Sequence, residues 1–220
     1  MKTKIFTTSL ITLLLYCSIS YAQTLDDFFN HGLENYCLKN YHVANYFFTK
    51  AIELNPSDSI AYLFRGKTYF FSDDYNYALD DFNKAIRLDL LSDDLYFNRA
   101  KTYFFIDDFT NALRDFSVSI NLNPEKENAY FFRARTFTQL KKYPEAISDF
   151  NKAISLNPND PDFFEERAYL FLTLNNCIKA ISDFTKAISL MPDSTTAYYG
   201  RGNSYSKLHE HKKAISDFTK

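Results

Sequence analysis

Apolar residues recur three and four positions apart along this chain, in runs of about a dozen residues, the spacing of one face of an α-helix. A first kind of run carries aromatic, two residues, Arg, a small residue and a second aromatic, as in Tyr62, Arg65, Gly66 and Tyr69, and again in Tyr96, Arg99, Ala100 and Tyr103. It stops at a short polar break: SDDY, IDDF, LKKY, LNNC or LHEH. A second kind of run then places Ala four residues before Phe, at Ala78 and Phe82, Ala112 and Phe116, Ala146 and Phe150, Ala180 and Phe184, and Ala214 and Phe218. Asp and Asn in the break suit the start of this second helix, and Pro144 suits a first helical turn. The second run closes on Asn-Pro or a variant, at Pro56, Pro124, Pro158 and Pro192. Proline cannot continue a helix and pushes its predecessor toward extended backbone, so the chain turns there. The pattern predicts helical hairpins.

The hairpins repeat. AIELNP at 51 returns as AIRLDL at 85, SINLNP at 119, AISLNP at 153 and AISLMP at 187, a period of 34 residues. A fixed period of this length marks a stacked array. Five full units span 25–58, 59–92, 93–126, 127–160 and 161–194, and a sixth of 26 residues spans 195–220. The sixth stops inside its second run, which reads as an array cut short or continued further. Gly or Ala at Gly32, Gly66, Ala100, Ala134, Ala168 and Gly202 removes bulk where the first helix presses on its partner. Aromatics fill the space between successive hairpins, since one hairpin alone cannot bury its apolar face. Ala146→Leu is therefore expected to overpack this seam and cost about 1–3 kcal/mol, measured as a lowered denaturation midpoint. Arg65, Arg99, Arg133, Arg167 and Arg201 recur together with Asp81, Asp115, Asp149, Asp183 and Asp217, whereas the first unit has His31 and Phe47 in their places. Their joint absence there suggests pairing, within a hairpin or across to the next. Such pairs fix geometry more than they add stability, which favours a structural reading over a binding ladder.

These motif positions resemble those of the tetratricopeptide repeat family, with Tyr or Phe where that family often has Trp and Arg where it often has Leu. The resemblance implies an all-α fold, a right-handed α-solenoid of stacked helical hairpins, with a concave groove lined by the first helices and used mostly for binding peptides or proteins. It also implies which residues face that groove: Phe29 and Tyr36, then Leu63, Lys67 and Phe70, then Phe97, Lys101 and Phe104, then Phe131 and Arg135. The fifth unit changes to Glu165, Tyr169 and Leu172. Aromatics around three successive basic residues would offer an extended segment apolar pockets and a cationic track for carboxylates. The set does not reproduce the lysine and asparagine clamp with which chaperone-binding members hold a terminal carboxylate.

Composition narrows the function classes. The first residues, MKTKIFTTSLITLLLYCSISYAQ, have two lysines, a short apolar run and small residues at Ser20 and Ala22, the layout of a secretory signal peptide over residues 1–22. Its apolar run is too short to read first as a membrane span, and an uncleaved anchor is the alternative. Without Lys2 and Lys4, 23 basic residues face 27 acidic ones, a formal charge of −4. Nothing in that balance calls for nucleic acid as a partner. Cys37 and Cys177 lie four units apart, too far for a disulfide in a stacked array. His31, His42, His209 and His211 fall only in the first and last units, so no histidine is shared with a mid-array carboxylate or thiol, and their spacing suits no helical metal site. No cofactor-binding or glycine-rich phosphate motif is present. The chain reads as an exported, periplasmic or secreted, non-enzymatic scaffold that binds a protein or peptide segment. The alternative is an accessory or sensing repeat domain of a longer protein whose active part lies beyond residue 220.

Overall fold

The structure is a computed structural model and describes residues 24–220, so the expected signal peptide lies outside the described residues. Among the described residues every regular element is a helix. In chain order they form six hairpins: α1 (Leu25–Cys37) with α2 (Tyr41–Leu54), α3 (Ser59–Phe71) with α4 (Tyr75–Arg87), α5 (Asp93–Phe105) with α6 (Phe109–Leu122), α7 (Glu127–Gln139) with α8 (Tyr143–Leu156), α9 (Pro161–Thr173) with α10 (Cys177–Leu190), and α11 (Thr195–Lys207) with α12 (His211–Phe218). The fold class is an all-α solenoid of helical hairpins. Two compact units divide it, Met1–Leu90 holding α1–α4 and Leu91–Lys220 holding α5–α12. Within each unit a first helix packs on its own second helix, which packs in turn on the next first helix.

The turns inside the hairpins use one device throughout. Lys39, Asp73, Asp107, Lys141, Asn175 and His209 all adopt left-handed backbone, with φ between 56° and 61°. The following N–H then reaches back to a carbonyl of the first helix, as from Asn40 to Asn35 at 2.8 Å and from Asp108 to Tyr103 at 2.9 Å. This satisfies carbonyls that the helix end would leave bare. Asp and Asn visit this region at low cost; lysine has no such ease, and the packing of the two helices imposes it.

The other ends follow the prolines. Asn55, Asn123, Asn157 and Met191 cap α2, α6, α8 and α10, with φ from −133° to −140°, and Pro56, Pro124, Pro158 and Pro192 come next. At α4 the sequence offers Leu90 and Leu91 instead of a helix-stopping proline. There the helix ends earlier, Asp89 turns left-handed with φ 60°, and the two compact units adjoin in sequence at Leu90 and Leu91.

The small positions lie against phenylalanine rings. A β-carbon added at Gly66 would sit 2.7 Å from the Phe82 ring, and one added at Gly32 would sit 2.5 Å from Phe48, both rings being wholly buried. Gly200 is a second kind of small site, missed by the repeat pattern: its helix position is Phe64 in α3 and Phe132 in α7. Here the Phe184 ring of the preceding hairpin occupies the space that a side chain would need.

The recurrent Arg and Asp pair within the hairpin. Arg133 places Nε 2.6 Å and Nη2 2.9 Å from the two carboxylate oxygens of Asp149, and Arg65, Arg99, Arg167 and Arg201 hold Asp81, Asp115, Asp183 and Asp217 in the same two-pronged way. A further nitrogen of Arg133 donates to Ser117 Oγ of the preceding second helix at 3.1 Å, and Arg65 does likewise to Thr49 and Arg201 to Thr185. Each guanidinium also lies over ring faces of its own helix, such as Tyr130 at 5.6 Å and Phe137 at 5.9 Å for Arg133. One side chain thus ties three helices, and the pairs are structural.

Candidate functional site

In the Met1–Leu90 unit the face of the first helices is aromatic. Phe29 and Tyr36 of α1 are half-buried and meet Phe64 of α3 edge-on, at 5.7 and 5.9 Å. The ammonium of Lys67 lies 4.7 Å from the centre of the same Phe64 ring. Leu63 and Phe70, expected to face a ligand, are only 5% and 7% exposed, because packing against neighbouring helices encloses them.

The Leu91–Lys220 unit carries the fuller site. Phe97 and Lys101 on α5 and Arg135 on α7 are half-buried, whereas Phe104 and Phe131 are 8% and 7% exposed and form backing rather than surface. The expectation that these positions offer apolar pockets to a ligand is thus corrected at Leu63, Phe70, Phe104 and Phe131. In this unit Phe104 meets Phe132 at 6.1 Å and Phe131 meets Phe163 at 4.8 Å, so these rings close the gaps between successive first helices, the task that repeat stacking sets for large residues.

At the centre stands Phe132, one position beyond the residues singled out from sequence. Its ring meets Phe97 at 5.8 Å, Phe104 at 6.1 Å and Phe116 at 6.1 Å. Lys101 Nζ lies 5.3 Å from its centroid and the Arg135 guanidinium 5.4 Å. Both cations are therefore held against ring faces, which attract positive charge. Burial pushes the Lys101 ammonium below its ordinary value, and Asp94 pulls it partly back. Lys126, from the connection before α7, adds a third cation 4.7 Å over Phe97 while bonding Asp93 at 3.0 Å.

Within this unit the charge changes sign at α9. Arg135 Nε is 3.4 Å from Glu166 Oε1, so this base is already paired by the next first helix. Beyond it, Asp162, Glu165, Glu166 and Tyr169 of α9 and Phe131 of α7 line a pocket of about 240 Å³. Burial raises the Glu166 carboxyl above the usual glutamate range, with Arg135 acting against that shift. Glu165 accepts a hydrogen bond from Ser194 Oγ at 3.1 Å, and the Tyr169 hydroxyl donates to the Thr196 carbonyl at 2.9 Å. Sequence reasoning noted Glu165 and Tyr169 as a change in the fifth unit but missed Asp162 and Glu166. The adjacent pair Glu165 and Glu166, standing where the previous unit has Phe131 and Phe132, was the available signal.

No group of three or more metal-binding side chains occurs among the described residues. His209 and His211 are exposed, with His209 in the last hairpin turn and His211 opening α12. Cys37 is exposed and Cys177 buried, both as free thiols.

The arrangement is that of a helical-repeat protein presenting a charged and aromatic face, and comparison with known proteins agrees. Residues 127–160 and 60–90 match two family models, each described as a tetratricopeptide repeat. No curated protein sequence matches the chain. Among solved structures, it is similar to YrrB, described as a repeat protein with an unusual peptide-binding site, with 23% identity over 90% of this chain and 97% of the other at a TM-score of 0.68. A tetratricopeptide repeat protein from Parabacteroides merdae gives 21% identity, coverage of 89% and 78%, and a TM-score of 0.74. PilF from Pseudomonas aeruginosa gives 18% identity, coverage of 88% for both chains, and a TM-score of 0.77. The segments 60–90 and 127–160 are thus tetratricopeptide repeats, the repeat of a class of generally non-enzymatic scaffolds that bind protein or peptide partners.

Proposed function

We propose that this protein is an exported scaffold that holds an extended segment of a partner polypeptide along the first helices of its Leu91–Lys220 unit. The observation that carries the reading is the platform at Phe132, where Lys101 and Arg135 are set over one ring beside a walled pocket. Fixed cations and ring edges give an incoming backbone polar contacts and apolar contacts at low ordering cost. The similarity to a repeat protein described as having a peptide-binding site points the same way. Phe97 packs on Phe116 at 6.0 Å, so truncating it would loosen the fold as well as the face. Lys101→Gln is the cleaner probe. Recovery of crosslinked partners from the native compartment is expected to fall about tenfold in this variant, the equivalent of one charge-assisted contact. Undiminished recovery would refute the binding role of this face.

Export rests on residues 1–22. Mass spectrometry of the mature protein is expected to find an N-terminus at Gln23 and the protein in the periplasmic or secreted fraction. A cytosolic protein that retains Met1 would overturn it. Among the described residues no helix is long and apolar enough to cross a membrane.

A further inference from the structure

The pocket between α7 and α9 differs in charge from the platform beside it. Its lining, Phe131, Asp162, Glu165, Glu166 and Tyr169, contains two aromatic rings, three carboxylates and no basic side chain. Among the described residues Arg135 is the one base that forms an ion pair with these carboxylates, through Glu166. The lining is left with an excess of negative charge. We propose that this pocket receives an arginine or lysine side chain of the bound polypeptide, so that the partner segment carries a basic residue in register with α9.

Three features support this occupant. Arg135 shows the chemistry at the edge of the site: its guanidinium lies 5.7 Å from the Phe131 ring centre and 3.4 Å from Glu166, using one wall and one carboxylate of the same pocket. A second cation entering beside Phe131 and Tyr169 would meet Glu165 and Asp162 in the same way, its stem packing on the rings and the carboxylates pairing with its charge. The walls are already placed, because Ser194 holds Glu165 and the Thr196 carbonyl holds the Tyr169 hydroxyl. Little ordering remains to be done on binding. Burial of Glu166 disfavours its charge, and a cation alongside would relieve that. With Lys101 on α5 and carboxylates on α9, the face discriminates among segments by the sign of charge at separate positions, and a segment with the order reversed would meet like charges.

This inference rests on the proposed binding face. Its test is selection of a randomised peptide library on the full-length protein, followed by affinity measurement of the enriched peptides. The expected result is a basic residue fixed at one position. Replacing it by citrulline or norleucine is expected to weaken binding about tenfold, the size of one charge-assisted contact. Asp162→Asn with Glu165→Gln should weaken the original peptide equally and the neutral analogue no further. Peptides weakened by Lys101→Gln but indifferent to the carboxylate substitutions would overturn the pocket while sparing the binding face. Absence of enrichment, or peptides indifferent to all these variants, would overturn both.

Discussion

Asp149→Ala is expected to lower unfolding free energy by about 3–5 kcal/mol, whereas removing both charges together, as Arg133→Met with Asp149→Leu, should be nearly neutral. Asp149 accepts Nε and Nη2 of Arg133 at 2.6 and 2.9 Å, and the two side chains are only 10% and 20% exposed. Alanine would leave the guanidinium among Tyr130, Phe137 and Ser117 without its counter-charge. Water could repair little of that loss at this depth. The paired substitution removes the charge along with its partner and keeps apolar volume in the seam. Denaturant midpoints of the wild type, the two single variants and the double variant give the coupling directly. A mild single-variant effect would show that these pairs do not tie the hairpin together.

The second large effect is Phe116→Ala, expected to cost about 3–5 kcal/mol as a large-to-small change in a close-packed interior. Phe116 has no solvent exposure, and its ring meets Phe97 at 6.0 Å and stacks with Phe132 at 6.1 Å. The loss should extend to the face, since Phe132 carries Lys101 and Arg135. Hydrogen exchange should quicken most in α5–α7, because each hairpin in an array is held chiefly by its neighbours. Uniform quickening across the unit, or unchanged stability, would contradict this nearest-neighbour account.

The position of the expected ligand-facing residues shows how far a repeat pattern reaches. Spacing assigned Phe97, Lys101, Phe131 and Arg135 to first helices, and that is where they lie. It could not rank their exposure. Phe131 is buried and Phe97 half-buried at the same repeat position, because the neighbour across the gap is different in each case. Phe131 stands 4.8 Å from Phe163, whereas Phe97 meets Phe132 and Lys126. The acidic pocket was hidden for the same reason. Glu165 and Glu166 stand out in the sequence only as a change from the Phe pair of the previous unit, and with Asp162 they become a pocket lining only beside Phe131.

The left-handed hairpin turns were equally out of reach, since glycine, their usual signal, is absent there and lysine stands at Lys39 and Lys141. The amino-acid sequence by itself determined the hairpin, its 34-residue period, the glycine–phenylalanine seams and the joint recurrence of Arg with Asp. Those features are local or strictly periodic, so each residue declares its role within a few helical turns. Only the tertiary structure decided that each Arg–Asp pair closes its own hairpin, which rings face solvent, and that positive charge gives way to negative between α7 and α9. Such properties belong to contacts between side chains from different helices, and a one-dimensional pattern does not encode the distances on which burial and charge pairing depend.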